Sequence, residues 1–193
     1  MADEHIPWDE PGGRPLRAFR ETLVACLRHP LTFFARVPAS EDRWAAMSFA
    51  LIMHVLGFSM AAAWNSALDG ELDTLALVRV VIAPIWVLIT VWLGSELMHG
   101  LLSLLRGARG SRNVTHRAVA YCYATAVLGV VPVVGLRLGL AAALVYQVMA
   151  LYKAHGGAPS SLWKAILAVV VTWVVLVGLV VLAALGGGAL EEE

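Results

Sequence analysis

The chain has 193 residues, of which 60% are hydrophobic and 15% charged, with no net formal charge at pH 7. A soluble domain carries roughly 25% charged residues, so this composition argues against a fold surrounded by water. Zero net charge removes any general attraction to nucleic acid, and the length suits a single domain. Cys26 and Cys122 lack metal-ligand spacing and read as free thiols.

Residues 1–13 read as a flexible tail, with Asp3, Glu4, Asp9 and Glu10, two prolines and paired glycines. No cleavable signal peptide is read in the polar, arginine-rich first 43 residues. Pro15 can start a helix in which Leu16, Phe19, Leu23 and Leu27 recur at three- and four-residue steps, opposite Arg17, Arg20, Glu21 and Arg28. Beyond Pro30 come Phe33, Phe34 and Arg36. Residues 14–43 therefore read as an amphipathic arm on the headgroup boundary, with Phe19, Phe33 and Phe34 buried in lipid and Arg20, Arg28 and Arg36 at phosphates.

Ser40, with Glu41 and Asp42 in the first turn, is expected to cap a first membrane span from Trp44 to Leu68. An acidic loop (Asp69, Glu71, Asp73) leads to a second span, about Leu77 to Leu105, containing Pro84. A basic loop, Arg106 to Arg112, precedes a short third span, about Arg117 to Val131. Pro132 and Gly135 turn the chain into a fourth, ending near Tyr152. Ser160 or Ser161 caps a fifth, about Trp163 to Leu185, and residues 186–193 form an acidic tail. The expected fold is all-α: an integral membrane bundle of five transmembrane helices, residues 44–185, with a cytoplasmic amino-terminal arm.

Charge orients it. Of the 14 Lys and Arg, six lie in the arm, four between spans two and three (Arg106, Arg109, Arg112, Arg117) and two between spans four and five (Lys153, Lys164). Only Arg79 and Arg137 fall on the other side. The positive-inside rule then puts the amino terminus in the cytoplasm and the carboxyl terminus outside. The arginine loop around Arg109 reads as a topology determinant, or as a contact for anionic lipid.

Glu96 is the informative residue inside the spans. Nine residues from the end of span two, it lies roughly 13 Å deep, where an ionised carboxylate is expensive. His99 follows at i+3 on the same face, and His54 sits at equal depth on span one, so that His54, Glu96 and His99 are expected to cluster. Three readings compete: a structural polar clamp, a proton or substrate path, and a metal site. Glu-x-x-His occurs once here, whereas di-metal bundles need it twice with further glutamates; no metal or other cofactor is expected. Tyr121, Tyr123, Thr125, Tyr146 and Gln147 add polar groups that cross-link helices or line a cavity. No catalytic set, phosphate loop or dinucleotide fingerprint is present, so no catalytic residue is assigned.

Several stretches in order carry a resemblance: Ile6-Pro-Trp8 with Pro11; His29-Pro-Leu-Thr-Phe-Phe34-Ala-Arg-Val-Pro38; Glu96-Leu-Met-His99 leading into Arg106-Gly107; Arg117-Ala-Val-Ala-Tyr121-Cys-Tyr-Ala124; Pro132-Val-Val-Gly135; and Tyr152-Lys-Ala-His155-Gly156. With them the chain resembles the bacterial branch of the Yip family, membrane proteins named for interacting with Ypt/Rab GTPases. The resemblance implies a five-helix fold in the bacterial cytoplasmic membrane and a non-enzymatic role as adaptor or membrane-organising factor. Its partners would be the lipid bilayer and other membrane proteins, or further copies of the chain. The arm is shorter than in eukaryotic relatives, and no GTPase contact residue carries over. The alternative is a small transporter or channel using His54, Glu96 and His99.

Overall fold

Proline and capping side chains set where most of the helices begin. The structure is a computed structural model and describes residues 6–10, 14–69 and 74–188. Among them all regular structure is helical. Pro15 opens α1 (Pro15–Arg28), and Pro30, at the first position of α2 (Pro30–Ala35), forces the break at His29. The long helices are α3 (Trp44–Asp69) and α4 (Thr74–Leu104). The acidic loop residues Glu71 and Asp73, and the tail from residue 189, lie outside the described residues.

The cap of α3 differs from expectation. The Asp42 carboxylate accepts from Trp44 N–H at 2.8 Å, while Ser40 Oγ accepts from Asp42 N–H. Ser111 caps α5 (Arg112–Tyr121). The expected third span is not one α-helix: beyond Tyr121 the chain tightens into a 3₁₀ stretch, Cys122–Val130. Next come α6 (Gly135–Ala154) and α7 (Leu162–Gly188). Ser161 sits in a 3₁₀ turn before α7 and donates to Ala158 O at 2.6 Å instead of capping the helix.

Among the described residues three helical segments are long and apolar enough to cross a membrane: Trp44–Leu68, Val80–Leu104 and Leu162–Leu182. They turn large apolar side chains outward, such as Val81, Ile85 and Ile89 on α4 and Val170, Val174 and Val177 on α7. The other two expected spans, α5 with its 3₁₀ extension and α6, carry Arg117 and Arg137 and fall outside that set.

Glycine lets the 3₁₀ stretch lie against its neighbours. A Cβ on Gly129 would stand 2.5 Å from Gly57 O, and one on Gly57 would stand 2.4 Å from Ala126 O. On the α6 side, a Cβ on Gly135 would meet Leu128 O at 2.1 Å. Backbone thus touches backbone on both sides, the close approach that small residues permit between membrane helices.

The arm lies against this bundle and supplies part of its core. Phe34 is fully buried and Phe33 nearly so, their rings against Tyr146 and Tyr121 at 6.2 and 5.3 Å. Phe19 packs between Trp8 and Phe49 at 5.6 and 5.3 Å. Tyr146 also donates to Leu27 O at 3.1 Å. The expectation that these three phenylalanines enter lipid is corrected: apolar rings next to a bundle with room for them bury against protein. Arg20, Arg28 and Arg36 remain exposed, as do Leu16 and Leu31.

Candidate functional site

The polar side chains gather at the end of the bundle that the arm covers. Arg117, in the middle of α5, is 1% exposed. Its guanidinium donates to the Asp9 carboxylate and to Asp42 O, and Tyr121 O–H donates to the other Asp9 oxygen. Residues 6–9 are therefore not a flexible tail. Ile6 is buried, Trp8 N–H donates to Thr22 Oγ1 at 3.1 Å, and Trp8 Nε1 donates to Ala45 O at 2.7 Å. A buried guanidinium needs a counter-charge, and the nearest supply is the first turn of the chain. Nothing local announces this pair, because Asp9 and Arg117 lie 108 residues apart.

A second network joins two helix ends. Both α4 and α6 end in Schellman caps: Gly107 N–H bonds Leu102 O and Arg106 N–H bonds Ser103 O, while Gly157 N–H bonds Tyr152 O and Gly156 N–H bonds Lys153 O. The left-handed position is taken by Arg106 (φ 53°) in one cap and Gly156 (φ 95°) in the other. His155 ties the caps together. Its Nδ1 accepts from the backbone N–H of Arg109 at 3.2 Å and of Gly110 at 3.0 Å. The ring proton is thereby assigned to Nε2, which donates to Thr115 Oγ1 at 3.0 Å, and Thr115 donates in turn to His99 Nδ1 at 2.9 Å. Burial, with His99 beside it, pushes the His155 pKa down to about 4. A protonated ring would also turn an N–H toward two N–H donors. His99 is thus bridged to His155, a partner the sequence did not single out.

Glu96 belongs to a third group. Its two carboxylate oxygens lie 3.8 Å from Arg43 and 3.8 Å from Arg112, and its side chain is 40% exposed. Arg43 also donates to Asn113 Oδ1 at 2.8 Å and lies over the Trp92 ring at 5.4 Å. The His116 ring meets the same indole at 5.2 Å. Glu96 is accordingly not a deeply buried acid. The two arginines stand just before α3 and at the first residue of α5, where two helix ends meet α4, so Glu96 sits at the rim.

His54 stands apart from all three groups. Its ring packs on Phe58 at 4.3 Å and on Tyr123 at 5.3 Å. Tyr123 O–H is hydrogen-bonded to Thr90 Oγ1, placing His54 near Thr90 on α4. Thr90 precedes Glu96 by about 9 Å of helix. The expected cluster of three therefore divides: His99 is bridged to His155, Glu96 is paired with arginines, and His54 lines a cavity of about 110 Å³ between α3, the 3₁₀ stretch and α6. Among the described residues no three His, Cys, Asp or Glu side chains are placed to hold a metal ion.

Comparison with protein families, curated proteins and solved structures returns no match. The class that the described residues define is an all-helical protein with three helices long and apolar enough to cross a membrane.

Proposed function

We propose that this chain is a five-span integral membrane protein of the Yip type that acts as an adaptor or membrane-organising factor, without catalysis of its own, its amino terminus in the cytoplasm. The observation that carries this reading is the division of the surface. Apolar faces on α4 and α7 suit lipid, while one end carries a folded cap with Arg20, Arg28, Arg36, Arg106, Arg109 and Arg112 exposed. A cap locked by Asp9, Trp8 and His155 offers a defined surface to a partner or to anionic headgroups.

Lengths support five spans. The five residues Arg117–Tyr121 rise about 8 Å and the nine 3₁₀ residues about 18 Å, together about 26 Å against the roughly 30 Å of a hydrocarbon core. The twenty residues of α6 rise about 30 Å. Reporter fusions after residues 72, 110, 133 and 158 test the count: alternating sides support five spans, and any two neighbours on one side refute it. Copurification from native membranes in mild detergent tests the role. A stoichiometric protein partner, or a homo-oligomer held through the cap, supports the adaptor reading; a partner-free monomer overturns it. The transport reading needs His54, Glu96 and His99 on one route, and their separate partners weigh against it. Glu96→Gln is expected to leave proteoliposome flux unchanged.

A further inference from the structure

The cavity beside His54 has the composition of a binding site. His54 is 7% exposed, and its Nε2 is sealed within the protein, out of reach of a guest. Most other polar groups on the walls are already used: Tyr123 O–H is bonded to Thr90, and Thr125 Oγ1 donates to Cys122 O at 2.9 Å. Gln147 is the exception. The indole N–H of Trp173 can only donate, and Gln147 accepts it at 2.7 Å. The amide orientation is therefore fixed with oxygen toward Trp173, which leaves the Gln147 NH₂ hydrogens for a guest. Phe58, Trp86 and Trp173 supply aromatic walls, and among the described residues no Asp, Glu, Lys or Arg lines the space.

We propose that this cavity binds a small, uncharged, largely apolar molecule bearing a hydrogen-bond acceptor such as a ketone or ester carbonyl. The carbonyl oxygen accepts from the Gln147 NH₂, and the apolar body lies against the aromatic rings and out toward Leu140. An ionised guest is disfavoured because no wall residue carries a compensating charge. About 110 Å³ is smaller than the roughly 150 Å³ of an engineered apolar cavity that admits benzene, so the acceptor end of the guest fills the cavity while its apolar end reaches the opening beside Leu140. Leu140 lines the cavity and is also half exposed on the outer face of α6, which gives an apolar entrance. Entry from lipid rests on the membrane reading above; the binding itself does not.

The test uses the full chain in lipid nanodiscs and two fluorinated probes, 4-fluoroacetophenone and 4-fluorotoluene, followed by ¹⁹F NMR. They differ in the carbonyl. Saturable binding of the ketone, about tenfold tighter than that of the toluene, is the expected result. Gln147→Leu and Gln147→Met should each weaken the ketone about tenfold and leave the toluene nearly unchanged. Ala143→Phe, at another wall position, should abolish saturable binding of both. Two variants against the carbonyl keep the test decisive if one fails to fold. Equal affinity for the two probes, ketone binding unchanged by Gln147→Leu, or non-saturable partitioning indistinguishable from that into Ala143→Phe protein would each overturn the proposal.

Discussion

Replacing Asp9 with alanine removes the carboxylate that faces Arg117, and the cost follows from what is left behind. The Arg117 side chain is 1% exposed and that of Asp9 10% exposed. Arg117 keeps the Asp42 carbonyl, but its Nε already lacks a partner and its charge becomes uncompensated. Tyr121 O–H loses its acceptor in the same step. Breaking a buried pair from one side costs about 3–5 kcal/mol, with the orphaned hydroxyl inside that sum. At about 2–4 °C per kcal/mol for a chain of this size, the apparent melting temperature should fall by about 6–20 °C. Tryptophan fluorescence during heating of detergent-solubilised protein reads this, since Trp8 belongs to the segment released. The double variant Asp9→Ala/Arg117→Met should recover most of the loss, because it removes the buried charge together with its partner. A single Asp9→Ala variant within about 1 kcal/mol of wild type, or a double variant showing only additive losses, would refute the claim that residues 6–9 lock the cap.

Other outcomes follow from the same structure. Gly129→Ala puts a methyl 2.5 Å from Gly57 O, a backbone atom, and should destabilise by about 1–3 kcal/mol. Gly178→Ala, with nothing within 4 Å, serves as a control and should be neutral or slightly stabilising by thermal melts. The folded His155 pKa of about 4 lies below its ordinary 6.5, so the unfolded chain takes up the proton first as pH falls. Stability from this group is intact above pH 6.5 and falls by about 2 kcal/mol by pH 5. His155→Gln should flatten that part of a melting-temperature profile from pH 7 to 5, and an unchanged slope would sink the assignment. Burial raises the Cys26 thiol to about 12. Reaction needs the thiolate, so maleimide should label Cys26 only on denaturation; labelling of folded protein at pH 7.5 would show the arm to be undocked.

How much was legible depends on whether the signal is local. The breaks at Pro30 and Gly135 and the approximate starts and ends of α3, α4, α6 and α7 are marked by proline, glycine, capping residues and long apolar runs, all readable within a window of a few residues. The 3₁₀ character of residues 122–130 was not, because nothing in Cys-Tyr-Ala-Thr-Ala distinguishes it from an α-helix; glycine contacts with α3 and α6 accompany it there. His54 and Glu96 each stood out as polar residues in apolar runs. Their separation was invisible because equal counting from helix ends assumes equal depth, and Arg43 and Arg112 meet Glu96 at the rim. His155 carried one weak clue, a histidine immediately before a glycine that ends a helix, with no hint that its ring reaches Gly110.

The sequence by itself determined that the chain is helical and that several helices present lipid-compatible faces, since these depend on composition and short-range periodicity. Tertiary structure alone decided which way the arm faces. The same phenylalanines satisfy an amphipathic pattern whether they enter lipid or protein, and only the aromatic recess formed by Phe49, Tyr121 and Tyr146 selects protein. It alone also paired Asp9 with Arg117, because a buried charge chooses its partner by distance in space, which separation along the chain does not reveal.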